Sequence, residues 1–464
     1  MKNKKESMLK GIIVLLLSQI SIKIVGLAYK LYLTNKDGFG DSGNAIYSSG
    51  FQIYALLLTF SSTGVPNAIS KLVAEKLAVG DSKGATKLFK IAFVTFGFLG
   101  ACGSTLLFFG AKTIAKEWIQ IPEAEISLIC LAPSIFFVSV SSVIRGYFNG
   151  VQKFSATAKS QSLEQVFKTL FTVIFVELSI LSIGKNTKIM AGAANLATTF
   201  ATIFSFLYIF IYYKSKKNRV HIEAMIARES KPMRIKKTIK QIVKVAFPIS
   251  ISSLIASFNK NIDSFTVVRF LKYHMNEESA KIQYGILSGK IDTLCALSFS
   301  INVAFVTTLV PNISKAMAKR NFKEVQKKSK FFILISFFIG MTMTLIMFIF
   351  PKQILNLLFP NANEGALYLR YNSLSIVFML LGQTINAILQ GIGKVNVPWI
   401  SFGIGMMFKL VFNIVLLPIK EIGIFGAIIG NIICNVVAFL IGFFILIKSF
   451  KSENNINQGK DILF

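Results

Sequence analysis

The stretch "GVQKFSATAKSQSLEQVFKTLF" at residues 150–171 aligns without a gap with "GIGKVNVPWISFGIGMMFKLVF" at residues 391–412. The alignment places glycine on glycine at the first position and Lys168 on Lys409. Both stretches run from the end of one apolar segment into the next apolar segment. The same short sequence pattern therefore occurs twice in the chain.

A second pair of similar stretches supports this internal repeat. "VPNAISK" at residues 65–71 resembles "VPNISK" at residues 310–315, and the two pairs occur in the same order along the chain. One such match can arise by chance, whereas two matches at equivalent positions indicate two halves of one design.

The composition places both halves in a membrane. The chain is 53% hydrophobic and only 16% charged, with a mean hydropathy of +0.61, which is too apolar to cover the surface of a soluble protein. Apolar runs of about 20 residues, long enough to cross the hydrocarbon core as a helix, recur throughout. We predict twelve spans at roughly 9–33, 44–70, 88–111, 126–148, 157–182, 189–213, 241–270, 281–312, 329–350, 365–390, 396–418 and 422–448.

The predicted fold is therefore an all-α polytopic membrane protein with about twelve transmembrane helices in two parallel six-helix repeats. An even number of spans per half gives equivalent helices the same direction, which is typical of transporters that move two lobes about a central site. The domain prediction is an N-terminal lobe, a basic cytoplasmic linker, a C-terminal lobe and a cytoplasmic tail, at 1–213, 214–240, 241–450 and 451–464.

The net charge of +30 indicates topology. If the N-terminus is cytoplasmic, most Lys and Arg fall in cytoplasmic segments and the outer loops are close to neutral, as the positive-inside rule requires. Both termini are then cytoplasmic, and the first span is a retained helix. Since no basic soluble domain remains, nucleic-acid binding is not expected.

The sequence carries no pattern for catalysis or for a metal. The four cysteines are scattered singly, the two histidines lie in loops on opposite sides, and no phosphate-binding P-loop is present. We therefore expect no catalytic residues, no metal site and no cofactor.

Ionisable residues inside the predicted first, seventh and eighth spans are the main candidates for a binding site. A charged group in a membrane costs several kcal/mol unless it is paired or faces water. These substrate-binding candidates are Lys23, Lys30, Lys260, Asp263, Arg269 and Lys290.

The three deepest lysines, Lys23, Lys260 and Lys290, are expected to line a cationic, water-accessible cavity that suits a phosphate or pyrophosphate. Two alternatives stay open. Lys30 and Arg269 lie near the outer boundary, where they can extend to the interface, and Lys260 can form a structural ion pair with Asp263, one turn away.

A second set of residues forms candidates for coupling or gating. The repeat-related Lys168 and Lys409 lie in the fifth and eleventh spans, and Glu164 precedes Lys168 by one helical turn and can neutralise it. For both lysines, a place in the core of a lobe is the alternative. Arg145 is expected to be an interfacial gate or anchor, and Asp292 can modulate lysine charge or carry an ion.

Several stretches resemble the polysaccharide-transporter branch of the multidrug/oligosaccharidyl-lipid/polysaccharide exporter superfamily, and in particular its stage V sporulation protein B and YtgP group, related to the lipid II flippase MurJ. The stretches are "GDSGNAIYSSGFQIYALLLTFSSTGVPNAISKLVAEK" (40–76), "NIDSFTVVRFL" (261–271), "YGILSGKID" (284–292) and "ILQGIGKVNVP" (388–398).

The resemblance implies two six-helix lobes, a central cavity and transport by alternating access. It also implies a polyprenyl-pyrophosphate-linked saccharide as substrate, with Lys23 and Lys30 at or near the family's basic positions on the first helix. This chain has Tyr29 and Lys30 where MurJ-type proteins have an Arg-Asp pair, so the charge coupling of MurJ is not carried over.

The sequence thus predicts a monomeric flippase of the bacterial cytoplasmic membrane, driven by the membrane potential or by a coupled Na⁺ or H⁺. A multidrug cation antiporter of the same fold is the first alternative, although lysines rather than carboxylates mark the predicted cavity. A membrane-embedded glycan-processing enzyme and a non-transporting assembly partner of the envelope or spore machinery are the others.

Overall fold

The computed structural model describes residues 8–59, 64–78, 80–215, 235–306, 309–318, 321–361, 363–394 and 396–458. Within these ranges the regular structure is helical throughout, with no strand. The side chains of Lys23 and Lys260 lie outside the described part.

Seven helices precede the segment around residues 216–234. They are α1 (Met8–Asn35), α2 (Gly40–Thr59), α3 (Val65–Ala78), α4 (Ser82–Thr113), α5 (Ala124–Gly150), α6 (Phe154–Ile183) and α7 (Thr187–Lys214). A π-helical segment, Ile114–Ile119, continues α4.

The helices after that segment are α8 (Ile235–Leu271), α9 (Glu277–Gly285), α10 (Asp292–Val306), α11 (Leu309–Ala318), α12 (Phe322–Ile349), α13 (Pro351–Leu358), α14 (Ala366–Gly391), α15 (Val397–Leu416) and α16 (Phe425–Gln458). A π-helical segment, Ile286–Ile291, joins α9 to α10.

The helices confirm the predicted all-α membrane architecture. Eight helical segments in the described ranges are long and apolar enough to cross a membrane: α4 with its π-helical continuation, α5, α6, α7, α12, α14, α15 and α16. The other four predicted spans coincide with α1, α2, α8 and the α9–α10 segment.

Two predicted spans are longer than the helices found there. The second prediction ran to residue 70, but α2 ends at Thr59 and "VPN" begins the separate helix α3. Likewise "VPN" at 310–312 lies in the first turn of α11. Proline is tolerated in a first turn because the N–H that it lacks has no partner there.

Short polar side chains mark where several helices begin. The carboxylate of Asp81 accepts from the backbone N–H of Gly84 at 2.7 Å at the start of α4. The side chain of Asn276 does the same for α9, and that of Asn321 for α12. Each cap satisfies a backbone N–H that has no partner within its helix.

The chain divides into two compact units, Met1–Asn261 and Ile262–Phe464. The boundary falls within α8, whereas the sequence places it in the basic linker, most of which lies outside the described residues. In the N-terminal unit, α5 packs against α2, α3, α4 and α7, and α6 packs against α1 and α7. In the C-terminal unit, α14 packs against α10, α11, α12 and α16, and α15 packs against α16.

The glycine that begins each repeated stretch makes the same kind of contact in both units. A Cβ atom on Gly150 would lie 2.8 Å from the carbonyl oxygen of Ser70 and from Val73 in α3. A Cβ atom on Gly391 would lie 2.8 Å from Ile313 in α11. The "VPN" helices α3 and α11 therefore closely approach α5 and α14, at equivalent places in the two halves.

Replacing Gly150 or Gly391 with Ala is expected to destabilise the protein by about 1–3 kcal/mol, because the neighbouring helix must move to admit the methyl group. Gly403 is the matched control, since a Cβ atom there meets nothing within 4 Å. Gly403→Ala should leave stability unchanged or slightly higher. Thermal unfolding of the purified variants in one detergent measures all three, and equal melting temperatures would contradict the close approach.

Candidate functional site

Seven Lys, Arg, Asp or Glu side chains in the described part of the chain are more than nine-tenths buried. Six are basic and one is acidic: Lys30, Arg145, Lys168, Lys281, Lys290, Lys409 and Asp263. Since a buried charge is costly without a partner, the surroundings of each residue show how the protein accommodates it.

Lys30 and Lys168 share one group of aromatic rings in the N-terminal unit. The Lys168 ammonium lies 4.1 Å from the ring centroid of Phe51 and 5.0 Å from that of Tyr29. Both ammonium groups lie over Tyr47, at 4.9 Å for Lys30 and 6.0 Å for Lys168. We call Tyr29, Tyr47 and Phe51 the aromatic cluster.

The buried position of Lys30 differs from the alternative in which it extends to the membrane interface. Its side chain is only 6% exposed and points to Tyr47 and Ser48 of α2, with the Ser48 hydroxyl oxygen 3.5 Å away. Contact with α2 therefore holds Lys30 inside the N-terminal unit.

Arg145 of α5 joins three helices through a fork of hydrogen bonds. Its Nη2 donates to Glu164 Oε2 of α6 at 2.6 Å and to Ser205 Oγ of α7 at 2.8 Å. Nε donates to Ser160 Oγ of α6 at 3.2 Å. Glu164 therefore pairs with Arg145, whereas the sequence suggested Lys168 as its partner, and Arg145 is buried within the N-terminal unit. A role for Arg145 as a gate or anchor at the membrane interface stays a prediction.

Lys409 of α15 forms a buried ion pair in the C-terminal unit. Its ammonium donates to Asp263 Oδ2 of α8 at 2.6 Å. The amide of Asn413 donates to Asp263 Oδ1 at 3.0 Å and to Thr266 Oγ1 at 2.9 Å. Asp263 therefore has a partner on another helix, whereas the sequence suggested Lys260 on its own helix, whose side chain lies outside the described part.

The remaining predicted residues are dispersed. Lys290 is fully buried in the π-helical segment before α10, which differs from the predicted water-facing position. Asp292 is half-buried at the start of α10, and Arg269 is exposed at the end of α8. The side chain of Lys23 lies outside the described part. A binding or coupling role for these residues stays a prediction.

Sequence reasoning missed the aromatic cluster and the amide partners. Tyr47 and Phe51 are four residues apart on α2 and stack with centroids 5.9 Å apart, a spacing that is visible in the sequence but common in any apolar helix. Asn413 follows Lys409 by one helical turn, and this polar neighbour in an apolar span was a usable signal.

The chemistry of the described residues is that of charge recognition. No group of three or more His, Cys, Asp or Glu side chains that could hold a metal ion gathers in the described ranges. Buried ammonium and guanidinium groups bind oxyanions through charge-assisted hydrogen bonds. The arrangement therefore suits an anionic ligand.

The chain matches two family models and resembles several known proteins. Residues 8–317 match the family model described as polysaccharide biosynthesis protein, and residues 248–415 match the MatE family model. Stage V sporulation protein B of Bacillus subtilis is 25% identical over 431 residues, which cover 91% of this chain and 80% of that protein. The lipid II flippase MurJ of B. subtilis is 24% identical over 466 residues, which cover 95% of this chain and 82% of that protein.

A solved structure shows the same fold. A multidrug resistance MATE family transporter in an inward-facing conformation superposes with a TM-score of 0.78 at 17% identity, over 95% of this chain and 99% of that chain. The family match covers more than half of the chain. The protein therefore belongs to the polysaccharide biosynthesis protein family, within the multidrug/oligosaccharidyl-lipid/polysaccharide superfamily of membrane transporters.

Proposed function

We propose that this protein is a flippase that moves an undecaprenyl-pyrophosphate-linked saccharide, lipid II or a similar precursor of peptidoglycan or polysaccharide, across the bacterial cytoplasmic membrane. The observation that carries the proposal is the sign of the buried charge. Among the described side chains that are more than nine-tenths buried, six are basic and only Asp263 is acidic. A transporter with such an interior favours an anionic cargo.

The family suggests which anionic group the cargo carries. The relatives include a protein named lipid II flippase, and the family model is described as polysaccharide biosynthesis protein. A pyrophosphate that joins a lipid to a saccharide carries its negative charge next to the sugar. Lysine side chains suit this pyrophosphate because an ammonium is a point charge, without the rigid two-pronged geometry of an arginine guanidinium, and can release the phosphate during each cycle.

We further propose that the protein works by alternating access as a monomer in the cytoplasmic membrane, with both termini in the cytoplasm. Lys23 and Lys260 remain our candidates for holding the phosphates. Release is driven by the membrane potential or by a coupled Na⁺ or H⁺, with Asp292 as a candidate for modulating lysine charge. The protein carries out transport and no chemical conversion of its cargo.

A multidrug cation antiporter is the second candidate, because a MATE family transporter shares the fold. A cation site requires a carboxylate that is available to the substrate. The one carboxylate more than nine-tenths buried in the described ranges is Asp263, and the Lys409 ammonium lies 2.6 Å from it. This pairing favours the anionic cargo over the cationic one.

Expression of this chain is expected to restore lipid II exposure in a bacterium whose own lipid II flippase has been depleted. Lys23→Ala or Lys260→Ala should abolish that exposure while the protein stays in the membrane. Lys185→Ala is the control, because Lys185 is exposed and pairs with the exposed Asp37. Exposure is measured by labelling lipid II at the outer surface of intact cells.

The exposure assay distinguishes a wrong cargo from wrongly assigned binding residues. If the protein inserts but exposure stays lost, lipid II is the wrong cargo, and other polyprenyl-linked glycans are tested in the same assay. Full activity in both Lys23→Ala and Lys260→Ala would overturn the roles assigned to these two lysines.

A further inference from the structure

The two lysines at the aromatic cluster differ from three other buried bases in how their charge is balanced. Arg145 pairs with Glu164, Lys281 with Glu278 and Lys409 with Asp263. Within the described part of the chain, no carboxylate lies within 4.0 Å of the ammonium group of Lys30 or Lys168. Their side chains are nevertheless 6% and 7% exposed.

Aromatic faces alone offset only part of the cost of these charges. A desolvated cation over a ring gains about 2 kcal/mol, whereas burial of an ammonium costs several kcal/mol. Lys30 and Lys168 are also near enough to repel each other, and Asp41 at the start of α2 attracts Lys30 only from a distance. The cluster therefore keeps an excess of positive charge.

The repeat-related lysines of the two halves differ in how their charge is balanced. Lys168 aligns with Lys409, which has the carboxylate of Asp263 and the amide of Asn413 beside it. At the equivalent point of the N-terminal unit, rings take the place of the carboxylate. Lys409 is thus neutralised within its unit, whereas the positive charge of Lys168 is available to a ligand.

A buried donor without an acceptor on the described residues lies one helical turn from Lys168. Gln165, one turn before Lys168 on α6, has a buried Nε2 with no hydrogen-bond partner among the described residues. This nitrogen faces α1, since it lies 3.5 Å from the position of a Cβ atom on Gly26, one turn before Lys30. Such a buried amide donor can donate to an oxygen atom of a ligand.

We propose that Lys30, Lys168 and Gln165 form a phosphate-binding site inside the N-terminal unit, bordered by the aromatic cluster. This inference rests on the proposed function and adds Lys30, Lys168 and Gln165 to Lys23 and Lys260 as groups that contact the pyrophosphate of its cargo. Two ammonium groups and an amide suit an oxyanion with more than one charge. Tyr29 and Phe51 are only half-buried, so the site borders an accessible surface. The same chemistry accommodates a free phosphate or pyrophosphate ion.

The test measures binding of inorganic pyrophosphate to the purified full-length protein in detergent by isothermal titration calorimetry. Lys168→Gln and Lys30→Gln are each expected to weaken the affinity about ten-fold or more, because each removes a charge-assisted hydrogen bond. Lys214→Gln is the matched control, since Lys214 also lies over a ring, at 4.7 Å from the Phe210 centroid, but is exposed. Affinities that agree within two-fold across all four proteins, or no binding by any of them, would overturn the site.

A second titration identifies the source of the phosphate. Undecaprenyl pyrophosphate that displaces inorganic pyrophosphate, and binds with the same dependence on Lys30 and Lys168, supports the lipid-linked headgroup. Lysine-dependent binding of the inorganic ion without displacement supports a site for a free anion. Neither titration requires transport. If pyrophosphate binding does not depend on Lys30 and Lys168 but lipid II exposure is restored, this inference alone is overturned. If pyrophosphate binds with the expected lysine dependence but lipid II exposure stays lost, the result counts against the flippase.

Melting temperatures of the same preparations show whether each variant is folded. If Lys168→Gln is unfolded, Lys30→Gln on α1 carries the test, because it changes a different helix. A folded Lys30→Gln variant with wild-type affinity would then overturn the site.

Discussion

Replacing Asp263 with Leu is expected to destabilise the C-terminal unit by about 3–5 kcal/mol, because the Lys409 ammonium then stays buried without a counter-charge. The two groups are 2.6 Å apart, and the residues are 4% and 1% exposed. Removal of one member of such a pair is far costlier than the net stabilisation that the intact pair provides, since the remaining charge keeps its full desolvation cost.

The reciprocal variant and the double variant make the test a cycle. Lys409→Met should destabilise the protein to a similar extent, because among the described side chains it leaves the Asp263 carboxylate with the amide of Asn413 as its donor. Asp263→Leu combined with Lys409→Met should recover most of the loss, since no buried charge remains and the apolar side chains fill similar volumes. The difference between the double variant and the sum of the single variants measures the coupling.

Lys272→Met provides the control for an ion pair of similar length at an exposed position. Lys272 lies 2.8 Å from Glu277, with about a third or more of each side chain exposed, and its loss should have no measurable effect. Unfolding is followed by thermal shift in detergent and by titration with a denaturing detergent. Single variants within about 1 kcal/mol of the wild type would contradict a buried, mutually dependent pair.

The helical architecture could be predicted because it depends on properties that the sequence displays directly. Apolar runs of membrane length specify long helices, and a repeat that aligns Gly150 with Gly391 specifies equivalent packing in two halves. The structure confirms both, since each of these glycines lies against its "VPN" helix. The amphipathic helix α13 was missed because its eight residues are too short to register as a span.

The partners of the buried charges could not be predicted in the same way. Helical spacing identifies neighbours on one helix, and it suggested Lys260 for Asp263 and Lys168 for Glu164. The observed partners, Lys409 and Arg145, come from other helices. Which side chains meet across helices depends on the rotation and depth of each helix, and a single sequence does not encode these as a spacing.

Arg145→Leu is expected to destabilise the N-terminal unit by about 2–4 kcal/mol, because one guanidinium holds groups from two neighbouring helices. The cost is below that of a fully buried pair, since the Glu164 side chain is 29% exposed and keeps some contact with water. Arg145→Lys should recover only part of the loss, because a single ammonium cannot reproduce the fork to Glu164, Ser160 and Ser205. Glu164→Gln keeps the acceptor and should cost less than Arg145→Leu.

Transport measured on the same variants separates a structural role for Arg145 from a gating role. If Arg145 only fixes α5 to α6 and α7, lipid II exposure should fall in proportion to the folded protein, and lowering the temperature should restore both in Arg145→Lys. A gate would instead lose transport in a variant whose melting temperature is unchanged. Because the guanidinium donates its hydrogen bonds to Ser160, Glu164 and Ser205 on neighbouring helices of the same unit, we expect the proportional result. Wild-type stability of Arg145→Leu would contradict the network as a structural element.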